Sequence, residues 1–175
     1  MSGNGMRVVI ALAFVAMAGS ALAATEQDVS LTVAIRSLGV SVTPATYDFG
    51  VMDAGEIKCF QNCVTITNSG NDAEDIGLRV KDEDDQNEWT LGDPPAENAY
   101  RLGAHLAADN PGVGTILSTT TQWADGANFA GGGNDMAPAA SVPMGFEFSA
   151  PTSVSGTHAS EQHTITVEVS CRLAE

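Results

Sequence analysis

The stretch His163–Leu173, HTITVEVSCRL, alternates apolar and polar residues with a period of two. This alternation is typical of a β-strand that buries one face and exposes the other. The stretch Asp28–Ile35, DVSLTVAI, repeats the pattern near the beginning of the chain. Two half-buried strands are therefore predicted, whose inward-facing residues are Val29, Leu31, Val33 and Ile35 in the first and Ile165, Val167, Val169, Cys171 and Leu173 in the second.

Further short β-type runs lie between these two stretches: LGVSVTP, CVTITN, DIGLRV, YRLGAHLA and MGFEFSAP. They are separated by segments rich in Gly, Pro, Asn and Asp, the residues that turns require. Residues after the first 23 show no stretch with helical spacing. The pattern predicts an all-β protein with antiparallel pairing, in which Val64 and Ile66 point inward.

The first 23 residues have the features of a secretory signal peptide. Arg7 precedes the apolar run Val8–Ala18, and Ala21-Leu22-Ala23 provides the small residues that signal peptidase accepts. The apolar run is shorter than the ~20 residues needed to span a bilayer. We therefore expect cleavage after Ala23, a single domain over residues 24–175 without a membrane anchor, and a location at the cell surface, outside the cell or in a periplasm.

The charge of the chain excludes one class of partner. Of the seven Lys and Arg residues only Arg7 lies in the leader, so the mature chain has six against 22 acidic residues, a net charge of −16. The basic residues are scattered, whereas a nucleic-acid-binding protein needs a basic stripe. We expect no binding to nucleic acid or to anionic lipid, and an attraction for divalent cations.

Two blocks of the sequence resemble a known family. Residues 41–56, SVTPATYDFGVMDAGE, and 64–80, VTITNSGNDAEDIGLRV, are similar to the Phe-Gly, Gly and Asn-x-Gly-Asn pattern of immunoglobulin-like domains of the major-sperm-protein and abnormal-spindle type. Residues 141–153, SVPMGFEFSAPTS, with TITVEV later on, resemble the second half of such repeats. The resemblance implies an immunoglobulin-like β-sandwich that binds proteins or acts as a spacer. The segment of about residues 81–140 has no counterpart in the pattern and is predicted to be a loop-rich insertion.

The three cysteines allow several arrangements. Cys59 could pair with Cys63, or one of these two could pair with Cys171, or all three could be free, because connectivity cannot be deduced from sequence. The second arrangement assumes that the start of the strand with Cys59 and Cys63 lies at the same pole of the sandwich as the end of the last strand, which carries Cys171. The spacing fits neither zinc, haem attachment nor a thioredoxin-type motif. The stretch Cys59–Asn71, CFQNCVTITNSGN, is interpreted as a structural corner.

Two clusters are candidate cation sites. Asp82, Asp84, Asp85 and Glu88 offer oxygen ligands for calcium but lack the Gly and terminal Glu of an EF-hand loop, and a solvated acidic loop is the alternative. His105, His158 and His163 could meet only after folding. We expect them to face solvent or lie in turns. Calcium is the only cofactor that the sequence suggests.

Trp89, Trp123 and Phe129 are candidate binding aromatics, because rings in loops can stack on sugars. Core capping is the alternative and is favoured, since a chain with so few aromatic residues needs them internally. The chain has no Gly-x-Ser-x-Gly, Ser-x-x-Lys or phosphate-loop motif. No catalytic activity is expected.

The inward phase changes within the first predicted strand region. Val29, Leu31, Val33 and Ile35 occupy odd positions, whereas Leu38, Val40 and Val42 occupy even ones, which implies a bulge or a break near Arg36-Ser37. The segment before the break could pair within its own domain or complete a neighbour's sheet. The first hypothesis is a subunit of a filament or coat. A free-standing module that binds carbohydrate or another envelope component is the alternative, and a secreted enzyme is a weaker third.

Overall fold

The computed structural model describes residues 30, 32–81, 89–106, 114–125, 128–129, 132–155 and 163–175. The predicted leader, residues 1–23, lies outside them. The chain divides into two compact units, Met1–Ile35 and Arg36–Glu175. All strands belong to the second unit, and the described ranges contain no helix. The strands are β1 (Val40–Thr43), β2 (Ile57–Asn68), β3 (Glu74–Lys81), β4 (Thr90–Leu91), β5 (Ala99–His105), β6 (Thr115–Ile116), β7 (Gln122–Trp123), β8 (Ser141–Ser149) and β9 (Thr166–Leu173).

The strands form two sheets. The larger sheet has the order β1-β2-β8-β5-β4, with β6 paired to β5. The smaller sheet has the order β7-β3-β9. Pairing is antiparallel as predicted, except that the short β4 runs parallel to β5. The alternation of β-type runs and turns thus gives an all-β chain with two sheets, consistent with a β-sandwich.

The inward faces of both sheets share one hydrophobic core. Val64 and Ile66 of β2 are buried, as their alternation predicts. Ile165, Val167, Val169 and Cys171 also face the core, but they are only partly buried. The other strand residues of the core are Ile76, Leu78 and Val80 on β3, Tyr100, Leu102 and Ala104 on β5, and Val142, Met144, Phe146 and Phe148 on β8.

The turn between β2 and β3 is held by polar side chains. The Asn68 amide donates to the carbonyl oxygens of Asp72 and Met136, at 2.8 and 2.7 Å, and its oxygen accepts from the Gly70 N–H. The buried Glu74 accepts a hydrogen bond of 2.7 Å from the Gly39 N–H. The Asn-Ser-Gly-Asn sequence therefore forms a structural corner, in which a small number of side chains satisfy the main chain.

The predicted insertion over residues 81–140 differs from expectation. It contains β4 to β7, and β5 lies inside the larger sheet between β8 and β4. Leu102 and Ala104 of β5 belong to the core. The larger sheet therefore includes this segment as an integral strand, in addition to the loops around it.

Candidate functional site

The candidate strand-addition segment is only partly described, since Val29 and Leu31 lie outside the described residues. Val33 and Ile35 lie outside any strand, and 83% and 80% of their surfaces are exposed. Two apolar side chains at alternating positions are thus left in water, although burial of each would contribute roughly 1.5–3 kcal/mol. The segment has the alternating composition of a strand, but its described residues do not lie in one.

The residues that follow this segment are anchored. The Ser37 N–H donates to Asn71 Oδ1 at 2.8 Å, and the Asn71 N–H donates back to the Ser37 carbonyl oxygen at 2.9 Å. Arg36 forms an ion pair of 2.9 Å with Asp72. The change of phase predicted near Arg36-Ser37 coincides with these contacts, which hold the chain at the β2–β3 turn before β1 begins at Val40.

Among the described residues, no further strand lies beside the two edge strands on one side of the two-sheet body. The strand β1 is at the edge of the larger sheet, β9 is at the edge of the smaller sheet, and the two strands pack against each other. The inward-facing residues of these strands are partly buried and contact the core: Val40, Val42, Val167, Val169 and Cys171. We call this side the open edge.

The three cysteines are free thiols in the structure. Cys59 and Cys63 are four residues apart on β2, about 13 Å in a regular strand, whereas a disulfide requires Cα atoms within about 7 Å. The strand is irregular between Phe60 and Val64, and both thiols remain free, with Cys59 exposed and Cys63 buried.

The predicted meeting of Cys171 with an early cysteine is not found, because the strand directions place them apart. Cys171 pairs with Ile76 near the start of β3, close to the β2–β3 turn. Cys59 lies near the opposite end of β2, nine residues from Asn68, which is about 30 Å of strand. The assumption of a shared pole was wrong.

The aromatic candidates have separate environments. Phe129 is 2% exposed and belongs to the core, in line with the core-capping alternative. Trp89 is partly buried and stacks on His163, with ring centroids 4.0 Å apart. Trp123 packs against Gly77, and the Arg172 guanidinium lies 4.7 Å from its ring centroid. The structure does not bring the three rings together as one platform.

The calcium candidates Asp82, Asp84, Asp85 and Glu88 lie outside the described residues, as does His158. Within the ranges that are described, no three His, Cys, Asp or Glu side chains are placed to hold a metal ion. His105 is 3% exposed, so the expectation of a solvent-facing imidazole was wrong for it.

A polar cluster that the sequence did not reveal lies on the outward face of the larger sheet. We use this name for Cys59, Arg101, His105 and Glu147. Glu147 lies on β8 between Cys59 of β2 and Gly103 of β5. Its carboxylate accepts a 2.5 Å hydrogen bond from Arg101 Nη2, and the Cys59 sulfur lies 3.8 Å from its other oxygen.

Two glycines make room for this cluster. Gly103 and Gly145 face outward beside Glu147, and a methyl group on Gly145 would collide with the His105 ring. Among the described residues, neither ring nitrogen of His105 has a hydrogen-bond partner. A glycine two residues before a carboxylate within a strand, as in Gly145 and Glu147, is the signal that could have indicated a filled outward face.

The electrostatics of the cluster disfavour nucleophilic chemistry. Burial raises the pKa of the Cys59 thiol, and the nearby Glu147 carboxylate raises it further. Burial lowers the pKa of His105, which favours the neutral imidazole, although Glu147 opposes this shift. A reactive cysteine requires the opposite arrangement, with a lowered thiol pKa beside a cation.

Comparison of the chain with protein-family models, with curated proteins and with solved structures finds no match. The described part of the chain also has no helix with the length and hydropathy of a membrane span. The features that remain to indicate a function are the open edge, the exposed Val33 and Ile35, and the polar cluster.

Proposed function

We propose that this protein is a secreted, immunoglobulin-like structural subunit that joins other protein molecules through non-covalent β-strand contacts, within a filament or coat at the cell surface or outside the cell. The observation that carries the proposal is the exposure of Val33 and Ile35. They belong to a segment with strand-like alternation, in a chain whose sheets have an open edge. Strand addition uses both features, since main-chain hydrogen bonds provide affinity and alternate side chains fill the partner's pockets.

The anchoring of the following residues supports this function. The Ser37–Asn71 and Arg36–Asp72 contacts hold the first residues of the folded unit at the β2–β3 turn. A segment bound to a partner would therefore continue directly into an ordered part of its own chain.

The state of the thiols supports a structural role over a catalytic one. Burial raises the pKa of Cys59, of Cys63 and of Cys171, and nearby carboxylates raise those of Cys59 and Cys171 further. The proposed subunit therefore has no activated thiol among these three, and its contacts with partners do not depend on covalent chemistry.

The direct test uses purified protein that begins at Ala24 and a variant with Val33→Asp and Ile35→Asp. Light scattering after size exclusion and negative-stain microscopy should show oligomers or filaments for the parent and monomers for the variant. The matched control is Thr32→Asp with Ala34→Asp, which adds the same charge on the opposite face of the segment. A parent chain that is monomeric at high concentration, with and without calcium, contradicts the proposal.

The folded body of the variant should keep its stability, because Val33 and Ile35 are exposed in the single chain. Unfolding curves of parent, variant and control should therefore coincide under conditions where all are monomeric. A large loss of stability in the double Asp variant would show that the segment packs within its own molecule, and would remove the argument for its role in assembly.

A further inference from the structure

The strand β9 has an edge with no strand partner in the described ranges. It pairs with β3 on one side, over its whole length from Thr166 to Leu173. Edge strands of soluble proteins are commonly protected by Pro, Lys, a bulge or an inward-facing charge. The β9 sequence TVEVSCRL has neither Pro nor Lys, and its register with β3 shows no shift.

The charged residues of β9 do not protect the edge either. Glu168 accepts two hydrogen bonds from Arg79 on the outward face, at 2.9 and 2.8 Å. Arg172 forms an ion pair with Asp75 on the same face, at 3.3 Å. Both charges are engaged with the neighbouring strand β3 and leave the inward face of β9 apolar.

The hydrogen bonds of β3 show which main-chain N–H and C=O groups of β9 point away from β3, toward the free edge. The Ile76 N–H donates to Gly133 and its carbonyl accepts from Ala124, and the Val80 N–H donates to Ser118. These groups of β3 therefore point away from β9. In an antiparallel ladder, the residues of β9 that lie opposite these β3 residues also point their N–H and C=O groups away from the ladder, toward the free edge of β9.

The residues opposite Ile76, Leu78 and Val80 are Cys171, Val169 and Val167. Their main-chain groups face the free side of β9, at alternate positions along the strand. Their side chains are only partly buried, whereas those of Ile76, Leu78 and Val80 are fully buried on the same face of the sheet. A further strand beside β9 would satisfy these main-chain groups and cover these side chains.

We propose that the free edge of β9 binds the N-terminal segment around Thr32–Ile35 of a second copy of this chain, which adds a strand to the smaller sheet. This assignment rests on the proposed assembly function and names its acceptor. Val33 and Ile35 of the added strand would lie beside Val40 and Val42 of β1 at the open edge.

Length and exposure favour this occupant. The alternating segment of seven residues from Val29 to Ile35 spans about 23 Å when extended, and the eight residues of β9 span about 26 Å. Val33 and Ile35 are 83% and 80% exposed, so their apolar side chains are accessible to a partner, and under the proposed assembly function that partner is a second copy.

The test is a pair of substitutions at one edge position. Val169→Pro removes an N–H that faces the free side and breaks no hydrogen bond to β3, and Pro is tolerated on edge strands in that orientation. Val169→Ala keeps the N–H and serves as the control. We expect Val169→Pro to weaken assembly by at least about tenfold and Val169→Ala by much less, because only Pro blocks the ladder.

Mixing two defective variants tests the direction of the contact. Val169→Pro keeps the donor segment, and Val33→Asp with Ile35→Asp keeps the acceptor edge. Each should be monomeric alone, and the mixture should form one-to-one dimers that do not grow further. A mixture that stays monomeric, with both variants folded, overturns the proposed acceptor.

Hydrogen exchange of the unmodified protein gives a measurement that does not depend on any variant folding. The amides of Val167, Val169 and Cys171 should exchange rapidly in the monomer and become protected in the assembly. If the parent assembles while these amides stay unprotected and Val169→Pro assembles normally, the acceptor is wrong and the assembly function stands. If the parent does not assemble at all, the proposed function itself has failed.

Discussion

Arg101→Met should destabilise the protein strongly, because it leaves the Glu147 carboxylate without its cation. The side chains of Glu147 and Arg101 are 7% and 21% exposed, so little water is available to replace the lost contact. Removal of one partner from a buried ion pair costs about 3–5 kcal/mol. We expect the lower value, about 3 kcal/mol, since Arg101 retains some solvent contact. For a chain of this size, that loss lowers the melting temperature by about 6–12 °C.

The assay is urea unfolding at pH 7, followed by the fluorescence of Trp89 and Trp123. The free energy of unfolding should fall while its dependence on urea stays constant, which would indicate that compactness is unchanged. The double variant Arg101→Met with Glu147→Met removes both charges. It should recover most of the loss, because a well-packed apolar pair of similar volume is often as stable as a buried ion pair.

A matched control is Arg79→Met, which breaks the ion pair with Glu168 on the outward face of the smaller sheet. That pair has good geometry, with N–O distances of 2.9 and 2.8 Å, but both side chains are about one-third exposed. Its loss should be a small fraction of the Arg101 effect. Equal effects at the two sites, or a double variant at Arg101 and Glu147 as unstable as the single one, would refute the reasoning from burial.

Three further predictions concern the same face and the thiols. Gly145→Ala should lower the melting temperature, since the added methyl group would collide with the His105 ring. Gly103→Ala should be tolerated, because a methyl group there would have its nearest contacts at the ordinary distances of 3.6 and 3.7 Å. Equal melting temperatures of the two variants would contradict this. Because burial lowers the pKa of His105, the unfolded chain binds more protons, and stability should fall as pH drops below about 6.5, by at most about 1.4 kcal/mol per pH unit. His105→Gln should flatten this dependence in unfolding curves measured from pH 7.5 to 5, and an unchanged slope would exclude His105 as its source. Alkylation of the unfolded, unreduced protein should add three groups by mass, since all three cysteines are free, and in the native state exposed Cys59 should react before buried Cys63; a single adduct would show a disulfide.

Sequence periodicity predicted the strands that bury one face. In β9 the residues Val167, Val169 and Cys171 face the core, and their outward neighbours Glu168 and Arg172 form ion pairs. The buried face of such a strand carries apolar residues and the exposed face carries polar ones, so the alternation can be recognised in the sequence. Hydrophobic burial and solvation together specify the register.

Periodicity failed where a strand is covered on both faces. His105 faces outward on β5 yet is almost completely buried, and Glu147 on β8 is buried in the same way. Whether an outward face is covered depends on tertiary structure, which a single sequence does not state. The polar cluster and the central place of β5 were therefore missed for one physical reason.

Alternation also specifies a face without specifying a partner. The segment that contains Val33 and Ile35 has the same pattern as β9, but its described residues are not in a strand. The alternative that placed Cys171 beside an early cysteine failed similarly, since the inward parity of Cys171 was right and the assumed shared pole was not. Pairing is a property of topology, so periodicity alone could establish neither result.

The acidity of the chain bears on how copies of it could associate. The full chain has a net charge of −15, which makes identical surfaces repel, although this repulsion is screened beyond about 8 Å at physiological ionic strength. Strand addition acts over shorter distances and relies on main-chain groups, which carry no net charge. At the β9 edge Glu168 and Arg172 are already paired within the molecule, so an added strand would meet apolar side chains and main-chain groups that have no strand partner in the described ranges. An edge of this kind would let an acidic protein bind its own copies, as we propose, without a basic patch.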